Sequence, residues 1–423
     1  MKRREWMKTL ACVCILAFVV SFLSGCGATQ IQANDLMDGV TAQVAEEKEL
    51  DEAFKEAQLN FSAELLRRSM DKNEEPNTNT LVSPLSVQLA LAMTANGADG
   101  STREEMERVI GGDISIEDMN KYLYTYVKKL PSAANYKLEI ANSIWFRDTE
   151  SLVVKDDFLQ INATYYDAQA YQRAFDDTTA SEMNKWVDLH TDGMIDKIID
   201  EIDSDMMLYL VNALVFDAKW EEKYTSKDVF DSKFYCLDGT EQEVELMSSD
   251  ESIYLHNDKA IGVMKPYKDR KYSFVALLPI EKGEAAFADF VDNLTGEELQ
   301  ELLDSKAYAD VKCKLPKFTY EYEISLIEIL QDMGMTSALG GDADFSKMAS
   351  CADGNLYIAE AIHKTYIEVD ENGTKAAAVT GIGAAAESVP VVIHVLLDRP
   401  FVYMIIDNHT NLPIFIGTLM SVE

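Results

Sequence analysis

The chain is poor in the residues that do chemistry. Its five histidines, His190, His256, His363, His394 and His409, are scattered, and no two stand at the helical spacing of a metal-binding pair. No Gly-rich phosphate loop and no nucleophile elbow occurs. Cysteine is equally sparse: of six, Cys12, Cys14 and Cys26 crowd the amino terminus, leaving Cys236, Cys313 and Cys351. Three dispersed cysteines exclude a full disulfide framework and offer no paired zinc ligands; they read as buried thiols, with one disulfide possible. No catalytic residue, metal ligand or cofactor is therefore expected. Cations are also in deficit, 38 Lys and Arg against 73 Asp and Glu for a net charge of −35, which excludes a nucleic-acid partner. In so acidic a chain the pairs Asp156/Asp157 and Asp176/Asp177 read as solvated surface.

Long apolar runs are missing too, apart from Leu10 to Leu23, which is too short to span a bilayer. It follows Lys2, Arg3, Arg4 and Lys8, the basic start of an export signal. Leu23, Ser24, Gly25 and Cys26 then resemble the bacterial lipobox, whose cysteine becomes a lipidated first residue. The expected organisation is a signal peptide over 1–25, a lipidated tether over 26–49 and one domain over 50–423. Such a product is exported and held at the surface of a bacterial membrane, or released outside the cell. Losing 1–25 removes four bases and Glu5, a net +3, so the mature charge is −35 − 3 = −38.

What is present suits one large domain. No Pro-, Gly- or Ser-rich linker and no internal repeat divides the remainder, and 47% hydrophobic residues suffice for a core despite the charge. An α+β order emerges, with helices concentrated early and strands late. Phe54, Ala57, Phe61, Leu65 and Leu66 recur at helical spacing and predict an amphipathic helix over 51–70. Residues 84–96 are apolar nearly all round and predict a buried helix. Strand-like runs cover 272–279, 309–317, 357–369, 391–397 and 401–407.

Between two of those runs, residues 371–390 read ENGTKAAAVTGIGAAAESVP, a nearly chargeless stretch of small residues. Thr374, Ala376, Ala378, Thr380, Ile382 and Ala384 fall on one face of an extended strand. All are small or apolar, so that face could enter an existing sheet without overpacking it or burying a charge. Lys375, the one cation, lies on the opposite face.

This stretch resembles the hinge and reactive-centre loop of the serpins, with Glu371, Gly373, Thr374, Ala376, Ala377 and Ala378 matching the hinge pattern. Further likenesses follow in family order: NTLVSPLSVQLALAM at 79–93, ANSIW at 141–145, YYDA at 165–168, NKWV at 184–187 and LVNALVFDAKW at 210–220. LPKF at 315–318, ADFS at 343–346, IHK at 362–364, RPF at 399–401 and IFIG at 414–417 complete the series. Val82 stands where the family has Phe, and Asp217 and Ala218 where Lys and Gly are common.

The resemblance implies a serpin fold, three β-sheets with surrounding helices and an exposed loop. It implies a suicide-type inhibitor of serine proteases, not an enzyme, acting as a monomer. Ser83, Ser86, Asn212 and His363 fall in the shutter region of the central sheet, and Trp220 in the breach where insertion begins. Fourteen residues beyond the hinge glycine, the scissile bond falls at Glu387–Ser388, or one residue earlier at Ala386–Glu387. Alanines before the bond and Val389 after it suit an elastase-like protease; a glutamyl-specific or subtilisin-like enzyme is the alternative target. A non-inhibitory surface lipoprotein acting as a binding module is the alternative function. Residues 116–130 mix acids with few bases, so no heparin-like activator is expected.

Overall fold

The computed structural model describes residues 34–423, except 74, 76, 131–132, 204–205, 353–354 and 375–391. Helix α1, Glu52–Asp71, starts where the Asp51 carboxylate accepts the Phe54 N–H at 3.0 Å. Its apolar stripe, Phe54, Leu59, Phe61, Leu65 and Leu66, is buried. Helix α2, Pro84–Ala95, opens with proline in its first turn, and only Ala90 of its residues escapes full burial. It runs through the core, which explains its unbroken apolar sequence.

Among the described residues, three sheets of seven, nine and two strands build the domain. The strands that frame the site are β1 (Tyr136–Arg147), β2 (Gln169–Arg173), β3 (Leu208–Lys219), β4 (Phe318–Ser325), β5 (Glu360–Val369) and β6 (Gly373–Thr374). Their order in the central sheet is β2-β1-β3-β6-β5-β4. β3 pairs antiparallel with β1 over eleven residue pairs, from Tyr136↔Ala218 to Phe146↔Leu208. On its other side it meets β5 in parallel at Tyr209↔Glu360 and Leu210↔Ala361. The nine-stranded sheet stacks behind, its buried face formed by Tyr272–Pro279, Phe401–Asp407 and Pro413–Leu419.

The expected α+β content and three sheets are present, but helices and strands are not segregated along the chain. β1 and β3 lie mid-chain, and helices Glu284–Asp292 and Gly296–Asp304 interrupt the later strands. The strand expected over 357–369 begins only at Glu360, and that expected over 309–317 begins earlier, at Ala307.

The expected tether is corrected over the part that is described. Asn34–Asp35 pairs antiparallel with β2 as an outer edge strand. Beyond it, Gln43 N–H donates to Thr164 Oγ1 at 3.1 Å and Lys48 Nζ reaches Asp118 at 2.8 Å. Leu36, Met37 and Val40 pack against the core between mainly polar neighbours, a pattern without helical or strand period. The acids of this segment also engage the helix Ile116–Lys128, where Glu46 pairs with Lys121 at 2.8 Å and Glu47 with Lys128 at 2.5 Å. Cys236 and Cys313 are buried thiols as expected, whereas Cys351 is half-buried, and all three are free. Asp176 is more than solvated surface: it caps helix Asp177–His190, accepting the N–H groups of Thr178 and Thr179 at 3.0 and 3.2 Å.

Candidate functional site

The site is the line along which β3 and β5 face each other. At one end they pair directly; at the other, β6 lies between them, antiparallel to both, with Gly373↔Lys219, Thr374↔Ala218 and Val369↔Thr374. The chain reaches that slot through a tight turn. The Asp370 carboxylate accepts the N–H groups of Asn372 and Gly373 at 2.7 and 3.1 Å, and Asp370 N–H donates to Gly373 O at 3.1 Å. Gly373 is required by space: a Cβ there would sit 2.1 Å from the carbonyl oxygen of Ala218. Thr374 is buried, and its hydroxyl meets the Tyr267 hydroxyl at 2.6 Å.

Trp220 closes the slot. Its indole N–H donates to Asp370 O at 2.9 Å, its backbone N–H to Asn372 O at 3.0 Å, and its ring stacks on Tyr267 at 4.6 Å. Tyr224 N–H donates to Glu371 O at 3.1 Å. Burial opposes ionisation of Glu371, but Lys317, 2.5 Å away, outweighs it and holds that carboxyl below its ordinary range. Three successive carbonyls, those of Asp370, Glu371 and Asn372, are thus gripped by two residues beyond the end of β3.

The lower half of the line is polar and buried. Ser83, capping α2, donates its backbone N–H to His363 Nε2 at 3.0 Å and its hydroxyl to Ile414 O at 2.8 Å; its Oγ also accepts the Ser86 N–H at 3.3 Å. One serine therefore joins β5, the buried helix and the nine-stranded sheet. Asn212 stands opposite Asn142 and donates its amide to it, while its own Oδ1 is buried without a partner among the described residues. Among the described residues, the hydrogen bond made by the His363 imidazole is the one that Nε2 accepts from the Ser83 backbone N–H.

Burial lowers the His363 pKa from 6.5 to about 4, because the imidazolium would lose its hydration and the Nε2 acceptor at once. The folded value lies below the unfolded one, so the stabilisation is complete above about pH 6.5 and is lost as pH falls towards 4. The shift corresponds to a loss on the order of 3 kcal/mol. Urea unfolding of the wild type across this window is expected to show that slope. His363→Gln, which keeps an acceptor but cannot titrate, is expected to flatten it.

The structure thus brings Ser83, Ser86, Asn212 and His363 to one end of a single line and Glu371, Gly373, Thr374 and Trp220 to the other. Ala376, Ala377, Ala378, Ala386, Glu387, Ser388 and Cys26 lie outside the described residues. Sequence reading passed over Tyr224, Tyr267 and Asp370, which are remote in the chain or belong to no recognised run. The one available signal was chemical: a buried tryptophan needs an acceptor and a packing partner.

Known proteins match this arrangement. A sequence profile for "Serpin (serine protease inhibitor)" fits residues 56–422. A serpin-like protein of Thermococcus kodakarensis is 30% identical over 356 residues, 82% of this chain and 81% of its own. Neuroserpin of Gallus gallus is 27% identical over 391 residues, 88% and 92% of the two chains. Among solved structures, the thermophilic serpin tengpin in its native state is 49% identical with a TM-score of 0.86, over 92% of this chain and all of that one. Tengpin in its latent state scores 0.77 over 89% of this chain and all of that one. With the profile covering most of the chain and the same fold found at high identity, this protein belongs to the serpin family of serine protease inhibitors.

Proposed function

We propose that this protein is a suicide inhibitor of a serine protease with elastase-like specificity. The observation that carries the reading is β6: two residues of the hinge already sit between β3 and β5 in the antiparallel sense that a full inserted strand requires.

The steps follow. The hydroxyl of the protease's serine attacks the carbonyl of Glu387, or of Ala386 in the alternative register. An ester forms, the peptide C–N bond breaks, and the amine leaves with a proton from the protease's own general acid. Hydrolysis of the ester then competes with insertion. Each step of two along the hinge is matched by a step of two back along β3 and β5. The register of Thr374 therefore carries Ala376 opposite Phe216, Ala378 opposite Leu214, and Thr380 opposite both Asn212 and His363. Small side chains meet the bulky positions, and the one hydroxyl arrives among the polar residues. A twelve-residue strand is about 40 Å long, so the ester-linked protease is carried far across the inhibitor.

Cys26 would anchor the mature chain in a bacterial membrane after removal of 1–25, placing the inhibitor outside the cell as a monomer. Its acidic surface favours encounter with a cationic protease, without a heparin-like activator.

Incubation with an elastase is expected to yield a complex that survives boiling in detergent, and mass spectrometry of the released peptide to place the cut at residue 386 or 387. Complexes with a glutamyl-specific or subtilisin-like enzyme alone would reassign the target. Cleavage without any complex across a panel of serine proteases would overturn the proposal in favour of a non-inhibitory binding module.

A further inference from the structure

Beneath Trp220 lies the most deeply buried ion pair among the described residues. Lys265 Nζ meets Glu251 Oε1 at 2.7 Å, with the side chains 4% and 7% exposed. Lys265 belongs to strand Ala260–Pro266 and Glu251 to strand Glu241–His256, both outside the central sheet. A pair so enclosed is weak evidence for stability, since two apolar residues of similar volume would hold the core as well. Its surroundings suggest another role. The ammonium stands 4.5 Å from the ring centre of Tyr224 and 5.4 Å from that of Trp220, within cation–π range of both. These are the two residues whose N–H groups hold the carbonyls of Asp370, Glu371 and Asn372.

We propose that Lys265 and Glu251 are positioning residues for loop insertion. The carboxylate fixes the ammonium, the ammonium fixes the two rings, and their N–H groups hold the hinge turn so that Gly373 and Thr374 start in register in the slot. A strand that starts paired extends one residue at a time, whereas a free hinge must first find its register. The pair therefore governs how often insertion wins against hydrolysis. This inference rests on the inhibitory reading above.

Two measurements test it: the number of inhibitor molecules consumed per elastase trapped, and the 19F spectrum of 5-fluorotryptophan at position 220. Lys265→Met is expected to raise inhibitor consumption severalfold and to shift and broaden the Trp220 resonance. Lys265→Arg, which keeps the cation over both rings, is expected to restore both. Glu251→Gln, close in shape to the native side chain, is expected to act in the same direction, and replaces Lys265→Met if that variant does not fold. A purely structural pair would lower the melting temperature with consumption unchanged; that result, with wild type trapping protease normally, overturns the inference alone. Wild type that traps no protease overturns the inhibitory reading, and the inference with it.

Discussion

Thr374→Arg is expected to turn the inhibitor into a substrate, with the detergent-stable complex nearly abolished and cleaved protein and active protease in its place. Thr374 is 3% exposed, stands opposite Ala218 and Val369, and bonds to Tyr267. A guanidinium there would enter a buried slot in which the Glu371 carboxylate is already paired with Lys317 and the Asp370 carboxylate is taken by the N–H groups of the turn. An uncompensated buried charge costs several kcal/mol, so the hinge leaves the sheet and insertion begins later. A barrier raised by about 3 kcal/mol slows insertion roughly 100-fold, while the chemistry of hydrolysis in the protease is untouched. Thr374→Ser, which keeps the hydroxyl and adds no charge, is expected to trap protease much as wild type does. Gel densitometry of complex against cleaved product reads both variants. Equal complex yield from Thr374→Arg would mean that β6 is not the origin of the inserted strand.

The second large effect is thermal. Cutting the loop with a protease that is not retained is expected to raise the melting temperature by about 20 °C. Insertion replaces the short direct contact of β3 with β5, two residue pairs, by a strand bonded along both. About ten new backbone hydrogen bonds at ~1 kcal/mol each are on the order of 10 kcal/mol. For a domain of this size, each kcal/mol moves the midpoint by about 2 °C. Burial of Ala376, Ala378 and Ile382 adds to this, and Thr380 brings a hydroxyl to the buried amide oxygen of Asn212. Such a rise would mean that the native fold is held by a kinetic barrier. Circular dichroism melts before and after cleavage check the shift; an unchanged midpoint would show a sheet that does not expand.

Much of this is legible in the sequence. Alternation of small residues after Gly373 marks a segment able to join a sheet, because side chains two apart in a strand share a face. Asp51, Ser83 and Pro84 announce the helix starts they make. Strands Tyr272–Pro279 and Phe401–Asp407 appear with the bounds their patterns predict. β3 was less readable as a strand, because both of its faces are covered and the apolar run Leu208–Phe216 shows no alternation. The docked course of residues 34–49 was not readable either, since its partners Asp118, Thr164 and Tyr171 lie on other elements and its few apolar residues follow no helical or strand period.

Local chemistry wrote the alternation of small residues after Gly373 and the helix caps, because those depend on neighbours a few residues away. Everything that makes the segment act at a distance came from folding. Lys317 finds Glu371, Tyr267 finds Thr374, Ser83 finds His363, and the rings of Trp220 and Tyr224 find Lys265 across gaps of tens to hundreds of residues. Such pairs leave no periodic trace in a chain, because their spacing is set by how sheets stack and not by the repeat of any one strand or helix.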